Sequence, residues 1–232
     1  MRNLAVGTVD AQGAQVSSNE IRNLPSLPDT AEEIREMAAL MGADPDKDVY
    51  LGLRASETNV KTADLSRTRV LAFATHGLVP GDLNGLTEPA LALSNPELTG
   101  EQDADGLLAM SEILSLRLDA DWVVLSACNT AAAEGGAAEA VSGLGRAFFY
   151  AGARALLVSN WPVETVSARL LTTDVFRRQS VDAKLYRADA LRTAMIDLME
   201  NGKAQSPTGD IAFSYAHPMF WAPFTLVGDG GR

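Results

Sequence analysis

Apolar and polar positions along the chain follow two periods. "RVLAFATHG" (69–77), "DWVVLSAC" (121–128) and "RALLVSN" (154–160) are nearly continuous apolar runs of strand length, the pattern of strands covered on both faces in a parallel sheet. "DTAEEIREMAALMG" (29–42) has the helical period. Asp29 or Thr30 stands at its N-cap, acids fill its first turn, Ile34, Met37, Ala38 and Met41 share one face, and Gly42 ends it.

"AVSGLGRAFFYAGA" (140–153) predicts a helix weakened by Gly143 and Gly145. "VETVSARLLTTDVFRRQ" (163–179) and "AKLYRADALRTAMIDLMENG" (183–202) predict long amphipathic helices, the second closed by Gly202. Shorter signals lie between these. "SETNVKTAD" (56–64) reads as a capped helix, "LLAMSEILSLRL" (107–118) as a helix, and "VYLGLR" (49–54) and "PALALSNP" (89–96) as strand candidates. "WAPFTLVGD" (221–229) is a final strand, placed by Pro223 at an edge or a strand start.

Strands alternating with helices predict an α/β domain on a mainly parallel sheet. Residues 1–28 are polar and end among prolines, so the expected organisation is an irregular arm over 1–26 and one domain over 27–232.

Composition narrows the functional classes. The 232 residues carry a net charge of −11 and no run of Lys and Arg, which disfavours nucleic acid and anionic lipid as partners. A single Cys forms no internal disulfide, and with two His it cannot supply a structural zinc site. No metal or cofactor is expected. Without an apolar run of membrane length or a secretory leader pattern, the expected location is the cytoplasm.

Reactive side chains stand at two strand tips. His76 follows "VLAFAT" and Cys128 follows "VVLSA", and in an open parallel sheet the crevice beyond the carboxyl ends of the strands is where sites form. An imidazole beside a thiol favours the thiolate and can protonate a leaving amine. Taken alone, Cys128 reads first as a small buried apolar side chain, and His76 also as a turn residue. "GLGRAF" lacks the third glycine of a dinucleotide loop, and neither a GK[ST] loop nor a GxSxG elbow occurs. His217, before Pro218, reads as a turn or pocket-filling residue.

Together "VLAFATHG", "EILSLRLDADWVVLSACNT", "LGRAFFYAGARALLVSNWPVE" and "HPMFWAPFTLVGD" resemble, in order, the blocks of the CHAT domain, a bacterial branch of the caspase- and separase-like cysteine peptidases. The resemblance implies a caspase-like three-layer α/β sandwich, with helices flanking a mostly parallel central sheet. It implies a cysteine endopeptidase in which His76 and Cys128 form the catalytic dyad and the backbone N–H groups of Gly77 and Cys128 hold the oxyanion. It also puts the substrate strand on Ser159, Asn160, Trp161 and Glu164, although Trp161 serves a core equally well. The partners it implies are a protein or peptide substrate and an activating partner or N-terminal sensor or repeat domain.

Three positions depart from the family pattern. Asn129 stands where many CHAT sequences have an acid, the pair after "WPV" that is usually acidic is Glu164-Thr165, and Ser126 stands where relatives that cleave after Arg or Lys often have Asp. These departures keep a second expectation open, a catalytically inactive recognition or scaffold module of the same fold.

Overall fold

The computed structural model describes residues 24, 25, 27, 29–126, 137–161, 163–206 and 208–231. Within them helix α1 spans Asp29–Leu40 and α2 Glu57–Thr62, followed by β1 (Val70–Phe73), β2 (Gly77–Leu78), β3 (Ala90–Ala92), α3 (Pro96–Thr99), β4 (Leu107–Ala109) and α4 (Met110–Ile113). Then come β5 (Trp122–Leu125), α5 (Ala137–Ala151), β6 (Ala155–Ser159), α6 (Thr165–Val181), α7 (Arg187–Asn201), β7 (Lys203–Gln205), β8 (Ile211–Ser214), α8 (Pro218–Trp221) and β9 (Phe224–Gly228).

The main sheet has the order β1-β5-β6-β9. Its first three strands are parallel and β9 is antiparallel to β6. The three apolar runs therefore lie side by side, as their composition requires. Alternation along β5 divides the core: Trp122 and Val124 face Met37 of α1, Leu171, Val175 and Phe176 of α6, and Ala190 and Leu191 of α7. Val123 and Leu125 face Leu144, Ala147 and Phe148 of α5. Helices on both faces of a mostly parallel sheet make the three-layer α/β sandwich. In α5, a Cβ at Gly145 would stand 3.1 Å from Leu156 Cδ1, so that glycine lets the helix lie close on the sheet.

A smaller antiparallel sheet, β2-β3-β4, continues from the carboxyl end of β1. It has its own apolar cluster of Leu78, Leu83, Leu86, Ala90, Ala92 and Leu107, against which Leu24 packs.

Three local expectations change. "VYLGLR" forms a short 3-10 turn, Gly52–Arg54, because Gly52 takes φ +56 and breaks the extended run. "LLAMSEILSLRL" opens as strand β4 and becomes helical only over Met110–Ile113, since its first residues gain ladder bonds from β3. The buried side of α1 comprises Thr30, Glu33 and Met37, while Met41 is exposed, so the helix is turned from the expected face and carries a carboxylate inward.

Candidate active site

His76 is delivered by two sheets. Ala74 and Thr75 carry the chain out of β1. The Ala92 amide then donates to the His76 carbonyl at 2.9 Å, and the Thr75 hydroxyl donates to the Ala92 carbonyl. The ring is partly exposed, with Nε2 2.8 Å from the carbonyl oxygen of Pro25. A carbonyl only accepts, so Nε2 carries the hydrogen, and in the neutral ring the free lone pair is on Nδ1. The upstream segment thus fixes which nitrogen can act as a base.

Gly77 is buried and opposite Leu91. His76 and Ala92 form the neighbouring hydrogen-bonded position, so alternation along the ladder directs the Gly77 N–H away from β3. It is one of the backbone donors expected for an oxyanion. Cys128, the other, lies outside the described residues, as does Asn129.

Ser126 is buried at the carboxyl end of β5. Ser159, also buried, is the last residue of β6 and pairs with Phe224. Asn160 donates from its backbone to the Pro223 carbonyl at 2.8 Å, and its Nδ2 donates to that carbonyl at 3.0 Å and to Thr225 Oγ1 at 2.6 Å. Trp161 is 39% exposed. Glu164 is the N-cap of α6, where its carboxylate accepts from Val166 N at 3.2 Å and Ser167 N at 2.7 Å. His217 caps α8, its Nδ1 accepting from Met219 N at 3.2 Å.

Sequence reasoning passed over two groups of acids. Glu33, only 3% exposed, reaches from α1 to α6, where its carboxylate accepts from Thr172 Oγ1 at 2.8 Å. Burial pushes its carboxyl above the usual carboxylate range, against the lowering effect of the Ser126 and Thr172 hydroxyls and of Arg169. A signal existed in the spacing Thr30, Glu33, Met37, which is helical.

The second group anchors the small sheet. Buried Glu57 accepts from the amides of Asp105 and Gly106 at 2.9 and 3.0 Å, and Lys61 bridges Glu57 and Glu112 at 2.9 and 2.7 Å. Asp105 is pushed up to about 7, first by burial and then by the neighbouring Glu57 and Glu112 charges. Among the described residues no group of three or more His, Cys, Asp or Glu is arranged to hold a metal ion. Nor is any helix among them long and apolar enough to cross a membrane.

The CHAT domain family model matches residues 2–229. The chain belongs to the CHAT family. CHAT domains are related to the caspase-like cysteine peptidases, and the three-layer sandwich agrees with that relationship. Tetratricopeptide repeat protein 28 of Mus musculus is 27% identical over 230 residues, and that of Homo sapiens 28%. Each alignment covers 87% of this chain and 8% of the relative, so this CHAT domain spans a small part of the length of those proteins.

Proposed function

We propose that this CHAT domain is a cysteine endopeptidase in which His76 and Cys128 form the dyad. One observation carries the reading. Strand β1 pairs with β5 at a constant offset, Val70 with Trp122 (122 − 70 = 52) through Phe73 with Leu125, and His76 and Cys128 are separated by the same interval, 128 − 76 = 52. Each stands three residues beyond the last paired position of its strand (76 − 73 and 128 − 125).

The chemistry is acyl transfer. The Cys128 thiol gives its proton to Nδ1 of His76, and the sulfur attacks a peptide carbonyl, forming a C–S bond and an oxyanion that accepts from the Gly77 and Cys128 amides. Collapse breaks the C–N bond as the imidazolium protonates the leaving amine. Water, losing a proton to the same nitrogen, then attacks the thioester and returns the free thiol. Through this cycle the Pro25 carbonyl keeps a proton on Nε2, which leaves Nδ1 as the nitrogen that exchanges protons. The extended substrate runs along Ser159–Trp161. The repeat proteins among its relatives support an appended repeat domain as the source of activation.

A second reading, a recognition module without turnover, is favoured by Ser126 and Asn129 in place of acids, and by Glu164, whose carboxylate is occupied in capping α6. An electrophilic peptide ketone separates the two. Under the peptidase reading it labels Cys128, as read by mass spectrometry, and His76→Ala slows labelling by about 100-fold or more. Substrate cleavage that persists in Cys128→Ala, or a ketone that leaves Cys128 of the full-length protein unmodified, overturns the peptidase.

A further inference from the structure

The step from β1 to β2 is made at one residue pair. In an antiparallel ladder the two residues of a hydrogen-bonded pair exchange both backbone bonds. His76 and Ala92 exchange one: the Ala92 amide donates to the His76 carbonyl at 2.9 Å, but the return bond to the Ala92 carbonyl comes from the Thr75 hydroxyl rather than from the His76 amide. Regular pairing resumes at Gly77 and Leu78, opposite Leu91 and Ala90. Thr75 and Ala92 are both fully buried, so water cannot replace a missing donor. A side chain thus takes the place of a main-chain group where the chain leaves the ladder to present a ring. An amide bonded in the ladder would fix the His76 peptide plane in the sheet, whereas a hydroxyl on the preceding residue satisfies the same acceptor and leaves that plane free to turn. The turned backbone brings Nε2 to 2.8 Å from the Pro25 carbonyl. That carbonyl is anchored on both sides: Leu24 packs on the apolar cluster of the small sheet, and the carbonyl of buried Leu27 accepts from the Thr30 hydroxyl at 2.7 Å.

We propose that Thr75 is a positioning residue for His76: by taking the Ala92 carbonyl it holds the His76 backbone out of the regular ladder and the ring on the Pro25 carbonyl, with Nδ1 left as the free nitrogen. This role rests on the peptidase reading only in supposing that Nδ1 is the base. Without the hydroxyl the buried Ala92 carbonyl lacks a donor, and the donor that the ladder offers it is the His76 amide. The pair then closes as a regular one and draws the ring away from Pro25.

The test uses the full chain labelled with 15N-histidine, as wild type, Thr75→Val, which keeps the branched shape without the hydroxyl, and Thr75→Ser, which keeps the hydroxyl. The chain has two histidines, and His217, whose Nδ1 accepts from Met219 N, serves as the internal reference. In alkaline buffer, where imidazole is neutral, the nitrogen shifts of a ring report its tautomer. Wild type and Thr75→Ser are expected to carry the His76 hydrogen on Nε2, and Thr75→Val to show the averaged shifts of two exchanging tautomers, with His217 the same in all three. The peptide ketone is expected to label Thr75→Val about 10-fold or more slowly than wild type, and Thr75→Ser at close to the wild-type rate. Rescue by Ser and a change confined to one ring are readouts that a merely structural loss does not produce. Amide hydrogen exchange of the wild type needs no variant to fold: the His76 amide is expected to be protected at least about 10-fold less than the Ala92 amide.

A His76 amide as protected as that of Ala92, an unchanged His76 ring in Thr75→Val, or a ring that changes equally in Thr75→Ser overturns the positioning role. A ketone that labels all three proteins alike, with the ring unmoved, refutes Thr75 and leaves the peptidase standing. A ring that changes as expected while the ketone labels none of them refutes the peptidase and leaves the positioning of His76 by Thr75 standing.

Discussion

One proton on Asp105 separates two electrostatic states of the loop that leads into β4. Its folded carboxyl, pushed up from 3.8 to about 7, binds that proton more tightly than the unfolded chain does. Stability is therefore fully present below 3.8 and is lost as pH rises through about 7, above which no further loss occurs. Asp105→Asn removes the dependence. Its melting temperature is expected to exceed that of the wild type at neutral and alkaline pH and to converge with it in acid, as measured by calorimetry across pH. A variant that is no more stable than wild type at neutral pH refutes this account. At the same scale, the sequence singles out His76 and Cys128 as candidates because each is a reactive letter close behind an apolar run. Glu33 and Asp105 are not singled out, since a charged letter within an amphipathic helix or a loop reads as solvated unless its partners are known, and Ser126 and Thr172 lie 93 and 139 positions away from Glu33.

Helix α6 begins on a carboxylate. Glu164 satisfies two of the first N–H groups, which otherwise have no intrahelical partner, and its charge sits at the positive end of the helix dipole. Glu164→Ala is expected to destabilise the fold by about 1 kcal/mol, and for a domain of this size that lowers the melting temperature by about 2–4 °C. A Gln at this position retains one acceptor and should recover part of the loss. Long elements were readable in sequence because periodicity accumulates over many residues: α6 and α7 fall where the spacing puts them. Short ones were decided by neighbours. "LLAM" becomes β4 because β3 offers it a ladder, and "VYL" is cut off by Gly52. The facing of α1 also depended on tertiary context, since a buried carboxylate turns the helix from the side its methionines alone would choose.

The molecule as a whole is organised by the three parallel apolar strands, and its centre is β6, flanked by β5 and β9. Leu157, fully buried there, packs in the same core as Trp122, Phe176 and Met37. Leu157→Ala is expected to cost about 2–5 kcal/mol, seen as a lower urea midpoint with an unchanged slope. A changed slope would mean that the two faces of the sheet do not unfold together. The layered architecture was legible from the alternation of strand and helix. The small sheet was not, because β2 is only two residues long, too short to carry a period. One contact far from that centre bears on how the protein is produced. The Pro25 carbonyl belongs to the segment before α1, so an expression vector whose reading frame opens at Leu27 deletes it. The imidazole would then be free to exchange tautomers, and a truncation chosen for tidy crystals would scramble which ring nitrogen bears the hydrogen while leaving every strand intact.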